Sequence, residues 1–171
     1  MLNINNIIKT LIILFSISFI LYSQNTDRNN KTAFFSAIES GDIKKVRELI
    51  RNGIDINITD EYNWSALHRA VQFNKREIVR ELLLNKKINI NPILPNGAIL
   101  ENDGKKWYAD GETPLLLASY YGYFEIVTIL LNFGANILAK DNVDGAMAIH
   151  IASARGWTKT VLAILESYSA K

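Results

Sequence analysis

Four segments of this 171-residue chain repeat one pattern, and this repetition limits the possible fold more than any other feature. Each segment carries an alanine, with a large apolar residue three positions before it and a Gly or Asn four positions after it. The intervals between successive alanines are 33, 48 and 34 residues, so the middle interval is one period with 15 residues added. A period of this length is typical of a solenoid of stacked units. The four alanines are Ala37, Ala70, Ala118 and Ala152.

The apolar residues on both sides of each Gly or Asn fall at helical spacing, which predicts two short helices in every unit. Gly and Asn tolerate the left-handed backbone conformation that ends one helix and lets the chain turn into the next. One pair of short helices cannot bury its apolar face alone, so the units are predicted to stack around one continuous core. The predicted turn residues are Gly41, Asn74, Gly122 and Gly156, and Gly53 and Gly134 are predicted to end the second helices of units 1 and 3.

The segments "TPLLLA", "SALHRA" and "MAIHIA" resemble the ankyrin repeat, whose units carry T-P-L-H-x-A, then a glycine, V-x-x-L-L and G-A-D-x-N. The resemblance covers about residues 31–168 and implies an all-α solenoid of helix-turn-helix pairs joined by β-hairpin finger loops. Unit 1 departs from the pattern with "TAFF", unit 2 with Asn74 for Gly, and unit 4 with Met147 for Thr. The predicted repeats are at about 31–60, 61–91, 110–141 and 142–171, together forming a domain from 31 to 171.

An insert at about residues 92–109 interrupts the repeat frame between units 2 and 3. Its runs "AIL" and "KKWYA" resemble strands, and "ENDG" between them supplies Asp-Gly, a strong hairpin signal. We therefore predict an elongated finger. Trp107 and Tyr108 on this finger are expected either to pack against the stack or to contact a partner. The alternative is a tolerated surface insertion, because extra loop length costs little.

The first 23 residues are typical of a secretory signal peptide. One cation, Lys9, precedes an uncharged apolar run at 11–22, which is shorter than the roughly 20 residues that span a bilayer. The pattern predicts export to a periplasm or secretion, with cleavage after Ser23 and a disordered linker at 24–30. The alternative is an uncleaved membrane anchor through residues 7–22.

Composition and motifs argue against catalytic classes of function. The chain has no Cys, which excludes disulfides, thiolate metal sites and a cysteine nucleophile. It carries no Gly-rich phosphate loop, nucleophile elbow or H-E-x-x-H motif, and its net charge of +2 gives no field for binding nucleic acid. The resemblance implies that His68 and His150 bond neighbouring backbone at the start of a first helix. No catalytic residue, metal or cofactor is predicted.

The resemblance implies that a partner protein is held by the finger tips and by the exposed side of each first helix. Tyr, Trp and Arg are the residue types that contribute most binding energy at interfaces. The alternative is that some of them fill gaps between repeats. The predicted partner-binding residues are Tyr62, Trp64, Arg69, Phe73, Trp107, Tyr108, Tyr120, Tyr121 and Arg155, with Gln72, Leu117, Ile151 and Ala154 on the same face.

These observations predict a non-catalytic, exported module that binds an unidentified protein. The alternatives are a secreted effector or an immunity-like protein that neutralises a toxin or host target, or an enzyme built on the repeat stack. The oligomeric state stays open, although Leu162 and Ala163 on the last helix could support pairing.

Overall fold

The computed structural model describes the backbone of residues 4–102 and 105–169 and, within these ranges, the side chains of residues 12–21, 24–99 and 109–169. The described chain consists of one long N-terminal helix, seven short helices and one two-stranded sheet. The helices are α1 (Ile4–Ser40), α2 (Ile43–Arg51), α3 (Ala66–Gln72), α4 (Arg76–Leu83), α5 (Pro114–Tyr121), α6 (Phe124–Asn132), α7 (Ala148–Ala154) and α8 (Thr158–Ser169), and the strands are β1 (Ile99–Asn102) and β2 (Lys105–Tyr108).

The helices stack in two layers, which confirms the predicted solenoid of four helix pairs. The first helices α1, α3, α5 and α7 contact one another in order, and so do the second helices α2, α4, α6 and α8. The positions three residues before the shared alanines, Phe34, Leu67 and Leu115, are buried between neighbouring units. Burying such apolar faces against the next unit supplies most of the stability of a repeat protein.

The turns between paired helices have the predicted left-handed backbone. Gly122 ends α5 with φ 70°, and the equivalent Asn74 has φ 53°. At Gly122 a side chain would also collide with the ring of Trp157 from the next unit, at 2.5 Å from the nearest ring atom. Trp157 therefore packs over this turn, and its Nε1 donates a 3.1 Å hydrogen bond to the carbonyl of Tyr120.

Asparagines at the ends of the units tie neighbouring units together. The Asn57 amide donates to the carbonyl of Lys87 and accepts from the backbone N–H of Asn89, both at 2.8 Å. In the same way, the Asn91 side chain accepts from the N–H of Asn136 at 2.8 Å. These bonds satisfy backbone N–H and C=O groups in the segments that follow the second helices. The Asn-rich ends of the units therefore have a structural role.

The predicted elongated finger is present as the hairpin β1–β2. Its antiparallel register pairs Ile99 with Tyr108 and Asn102 with Lys105. The base of the hairpin is anchored in the stack. Leu94 is 1% exposed, and its N–H donates to the carbonyl of Glu112 at 2.9 Å. The ordinary fingers are shorter: the finger before α3 closes with an isolated bridge between Thr59 and Ser65, and the one before α7 with a bridge between Lys140 and Met147.

The N-terminal region differs from the predicted disordered linker at 24–30. These residues lie inside α1, which continues into the first helix of unit 1, and their side chains are all exposed. Residues 1–40 contain neither Gly nor Pro, so the sequence has no helix breaker before Gly41. Among the described residues, none of the helices is both long enough and apolar enough to cross a membrane.

Candidate partner-binding surface

Each finger runs directly into the start of a first helix, and in units 2 and 3 a side-chain cap fixes this junction. The Ser65 hydroxyl accepts from the N–H of His68 at 3.2 Å, and the Thr113 hydroxyl accepts from the N–H of Leu116 at 3.4 Å. Pro114 occupies the first turn of α5, where a missing N–H costs nothing. The caps hold the finger tips along the same edge of the solenoid as the first helices.

The finger before α3 holds a compact cluster of aromatic and charged side chains. The Asp60 carboxylate accepts from the N–H groups of Tyr62 at 2.8 Å and Trp64 at 2.9 Å, and its second oxygen pairs with Arg69. The Arg69 guanidinium lies 4.7 Å from the centre of the Trp64 ring and 5.6 Å from that of Tyr62. It also donates to the Gln72 side chain at 2.8 Å. The ion pair with Asp60, the contacts with the two rings and the hydrogen bond to Gln72 together fix the Arg69 side chain against this finger.

A cleft of about 580 Å³ separates this cluster from the base of the elongated finger. Tyr62, Trp64 and Arg69 line one side, and residues 95–99 line the other. Gly97 is fixed there because its N–H donates to the Asp110 carboxylate at 2.6 Å. The insert therefore forms one wall of a preformed cleft and is not a detached loop.

A second aromatic cluster lies where units 3 and 4 meet. The Arg155 guanidinium lies 3.5 Å from the centre of the Tyr120 ring. The Tyr120 and Tyr121 rings meet edge to face at 5.5 Å, and Tyr121 stacks on Tyr123 at 5.1 Å. Burial is the main cause that raises the pKa of Tyr121 to about 12, so this tyrosine stays neutral. Arg155 remains exposed on top of the cluster.

The predicted partner-binding residues divide by exposure. Tyr62 is 64% exposed and Phe73 is 39% exposed, so both are accessible to a partner. Trp64 is only 4% exposed, and Leu117 is fully buried between units. Their assignment as exposed contacts was wrong, because Arg69 covers the Trp64 ring and the neighbouring helices cover Leu117.

The remaining predicted residues differ in how much of them a partner could reach. The Arg69 side chain is 14% exposed, and its charge is already paired with Asp60, so it forms part of the cleft wall. Tyr120 and Tyr121 are half-buried. The side chains of Trp107 and Tyr108 lie outside the described part of the chain, and their roles stay a prediction.

His68 has the structural role that was predicted for it. Its Nε2 donates a 3.1 Å hydrogen bond to the carbonyl of Glu112 in the next unit, and its Nδ1 lies 3.0 Å from the Ser65 hydroxyl. Burial lowers the pKa of His68 to about 4, so the ring is neutral and links two units. His150, at the same position in unit 4, is exposed and accepts from the N–H of Met147 at 3.2 Å.

Glu112 is the residue that sequence reasoning missed. It occupies the finger position at which unit 2 has Trp64, and it is 5% exposed with no hydrogen-bond partner for its Oε2. Burial, and then the nearby Asp141 carboxylate, raise the pKa of Glu112 to about 8, against the opposing effect of Arg155. A signal was present in the sequence, since a carboxylate replaces a buried aromatic residue at an equivalent position.

The described part of the chain does not assemble a metal centre. Within it, no group of three or more His, Asp or Glu side chains is arranged to hold a metal ion. The cleft and the tyrosine cluster instead offer aromatic surface, an exposed guanidinium and backbone groups, which are the usual elements of a protein-binding surface.

Comparisons with known proteins agree with this architecture. The family model for ankyrin repeats in three copies matches residues 2–96, and the model for a single ankyrin repeat matches residues 110–142. The chain is 34% identical over 123 residues to glycerophosphocholine phosphodiesterase gde1 of Schizosaccharomyces pombe, covering 72% of this chain and 8% of that protein.

Two further relatives have different names. The chain is 30% identical over 135 residues to the probable E3 ubiquitin-protein ligase XBOS32 of Oryza sativa, covering 78% of this chain and 24% of that protein. It is 38% identical over 86 residues to Rabankyrin-5 of Homo sapiens, covering 50% of this chain and 7% of that protein. The chain therefore spans less than a quarter of the length of each of these relatives.

Proposed function

This chain belongs to the ankyrin-repeat family, and from that premise we propose that it is a non-catalytic module that binds a partner protein. The proposed surface is the edge formed by the finger loops and the exposed sides of the first helices. The cleft beside Tyr62 is the observation that carries the proposal. A preformed groove with an exposed aromatic side chain and a fixed wall lets a partner bind with little ordering cost.

The comparisons support a role in binding rather than a role in one particular reaction. The relatives are named as a phosphodiesterase, a ubiquitin ligase and Rabankyrin-5. The segment that they share with this chain is therefore not tied to a single activity. An effector or a toxin-neutralising protein would use the same surface, and the proposal holds for either role.

The surface is tested by substituting Tyr62. A partner captured on the full chain is identified, purified and titrated against Tyr62→Ala and, as a matched control, Tyr168→Ala on α8. The two tyrosines are 64% and 62% exposed, so they differ in place and not in accessibility. We expect Tyr62→Ala to weaken binding by about 10-fold or more, as truncation of an interface hot spot does, and Tyr168→Ala to leave it unchanged.

The elongated finger is tested in the same titration. Replacing residues 100–107 with Asn-Gly joins the paired residues Ile99 and Tyr108 through a two-residue turn and keeps the buried anchor Leu94. If the partner binds this variant and Tyr62→Ala as tightly as the parent chain, the proposed surface is wrong. If only the variant with the shortened finger loses binding, the site lies at the hairpin tip instead.

We also propose that the protein is exported, because Lys9 and the apolar run at 11–22 form a signal-like N-terminus. Cells that express the full chain are fractionated, and the N-terminal peptide is identified by mass spectrometry. We expect the protein outside the cytoplasm with an N-terminus near Gln24. An intact N-terminus in the membrane fraction would support an anchor through residues 7–22 instead. An intact chain in the cytoplasm would refute export.

A further inference from the structure

Two fingers of the stack hold an aspartate in the same way. In unit 2, the Asp60 N–H donates to the carbonyl of Trp64, and Asp60 Oδ1 accepts from N–H groups of its own finger. In unit 4, the Asp141 N–H donates to the carbonyl of Ala146, and Asp141 Oδ1 accepts from the four N–H groups of residues 143–146 at 3.0–3.2 Å. Both aspartates thus organise a finger through one carboxylate oxygen.

The two units differ in the partner of the second carboxylate oxygen of the aspartate, Oδ2. In unit 2, the residue before the shared alanine is Arg69, whose guanidinium pairs with Asp60 Oδ2. In unit 4, the residue at that position is Ile151, which brings no charge. Among the ion pairs of the described residues, none includes Asp141. Unit 4 therefore keeps the carboxylate of this arrangement and lacks the cation.

A cavity of about 320 Å³ opens at this place, between the fingers of units 3 and 4, and is called the Glu112 cavity below. Its wall includes Glu112, Asp141, Asp144 and Ile151. The volume is at the small end of the range of ligand pockets, roughly 300–1,000 Å³, which suits a single side chain. Glu112 is buried at its wall with Oε2 unpartnered, an arrangement that is costly without a ligand.

We propose that the Glu112 cavity, as a second part of the partner-binding surface, binds a basic side chain of the partner protein, whose ammonium or guanidinium group takes the place beside Asp141 that Arg69 occupies beside Asp60. That the cation comes from a protein partner rests on the proposed function. The preference of the cavity for a cation does not depend on the proposed function, because it rests on the geometry of the two fingers and on the carboxyl groups of the cavity.

The charges around the cavity favour a cation over an anion. Three carboxyl groups, those of Glu112, Asp141 and Asp144, face one guanidinium, and that guanidinium lies on the Tyr120 ring. A bound cation also favours the ionised form of Glu112. The titratable groups that share the cavity or its wall with Glu112 are Asp141, Asp144, Tyr120, Tyr121, His150 and Arg155. From α3, His68 donates to the carbonyl of Glu112 itself.

The test uses the full chain and small probes, so it needs no partner protein. N-acetyl-arginine amide and N-acetyl-lysine amide are titrated up to about 50 mM, which covers millimolar dissociation constants. N-acetyl-norleucine amide is the uncharged control. The backbone amide resonances of Gly145 and Ala146, which bond Asp141, are followed by NMR. We expect saturable shifts with at least one cationic probe, release of close to one proton per bound probe at pH 7, and no shift with norleucine.

Two variants test the mechanism. Glu112→Gln keeps the shape of the side chain, and we expect it to abolish proton release and to weaken probe binding by about 10-fold. Ile151→Arg supplies the cation from within, as unit 2 does, and we expect it to abolish probe binding. Leu138→Arg, which adds the same charge at a 57% exposed position outside the cavity, is the matched control and should bind the probe like the parent chain.

The outcomes separate this proposal from the proposed function. Equal shifts with norleucine, no saturable shift with either cation, or undiminished binding by Ile151→Arg would each overturn the cation site. Any of these results leaves the Tyr62 titration as an independent test of the binding surface. A failed Tyr62 titration with a positive probe titration would keep the cation site and overturn the cleft. Helical circular dichroism and cooperative melting establish that each variant is folded.

Discussion

The free energy of unfolding is expected to be nearly constant between about pH 4.5 and 6.5 and to fall on the alkaline side because of Glu112. The folded chain raises the pKa of this carboxyl from 4.5 to about 8, chiefly through burial. Its stabilising contribution is therefore complete below pH 4.5 and is lost as pH rises through 8. At about 1.4 kcal/mol for each tenfold change in proton affinity, the loss is on the order of 4–5 kcal/mol. That is a large part of the 5–15 kcal/mol typical of a domain.

At lower pH, His68 changes the free energy of unfolding in the opposite direction. Burial lowers its pKa from 6.5 to about 4, so the folded chain holds the neutral ring and the unfolded chain is protonated between these values. Its contribution is complete above pH 6.5 and is lost as pH falls towards 4, by roughly 3 kcal/mol. Between pH 4.5 and 6.5 the fall in the free energy of unfolding caused by Glu112 is offset by the rise caused by His68, which produces the plateau. Above pH 6.5 only the pH dependence from Glu112 remains, so the net fall in the free energy of unfolding from the plateau to pH 8 is about 2 kcal/mol.

Urea unfolding of the full chain at a series of pH values from 4 to 8.5 measures this profile. Glu112→Gln should remove the fall between pH 6.5 and 8, because the amide cannot ionise. Glu125→Gln makes the same chemical change at an exposed position on α6 and should leave the profile unchanged. Persistence of the alkaline fall in Glu112→Gln would show that another group causes it.

The parts of the fold that the sequence predicted are those with local causes. Helical spacing, the left-handed turn at Gly122 and the Asp-Gly signal of the hairpin all act within a few residues, so one chain segment suffices to recognise them. The polar stretch at 24–30 predicts a linker, but α1 continues through it, since neither Gly nor Pro interrupts the chain before Gly41.

The parts of the site that were missed depend on several units at once. Glu112 is buried because its backbone bonds Leu94 of the insert and His68 of unit 2 while its side chain meets the finger of unit 4. None of these neighbours is close in sequence. Trp64 was predicted as an exposed contact for a different reason, since its residue type alone does not show that Arg69 of the same unit lies over its ring.

The second large effect is expected for Arg69→Ile, which gives unit 2 the residue that unit 4 has at this position. Asp60 is 5% exposed, so removing the guanidinium leaves a buried carboxylate without its ion pair. Removing one partner of a buried pair costs about 3–5 kcal/mol. The N–H groups of Tyr62 and Trp64 still stabilise the charge, so we expect a loss of stability near 3 kcal/mol at pH 6.

The double variant Asp60→Asn with Arg69→Ile separates lost charge pairing from lost packing. Asparagine keeps an oxygen for the finger N–H groups and carries no charge, so the double variant should recover most of the stability that Arg69→Ile loses. Arg80→Ile, at an exposed position on α4, is the matched control and should change stability by less than about 0.5 kcal/mol. If Arg69→Ile and Arg80→Ile cost the same, Asp60 does not need its cation. The comparison with Asp141, on which the cation site of unit 4 depends, would then lose its basis. If only Arg69→Ile is costly, the buried Asp60 depends on its cation, which supports the comparison on which the cation site beside Asp141 is based.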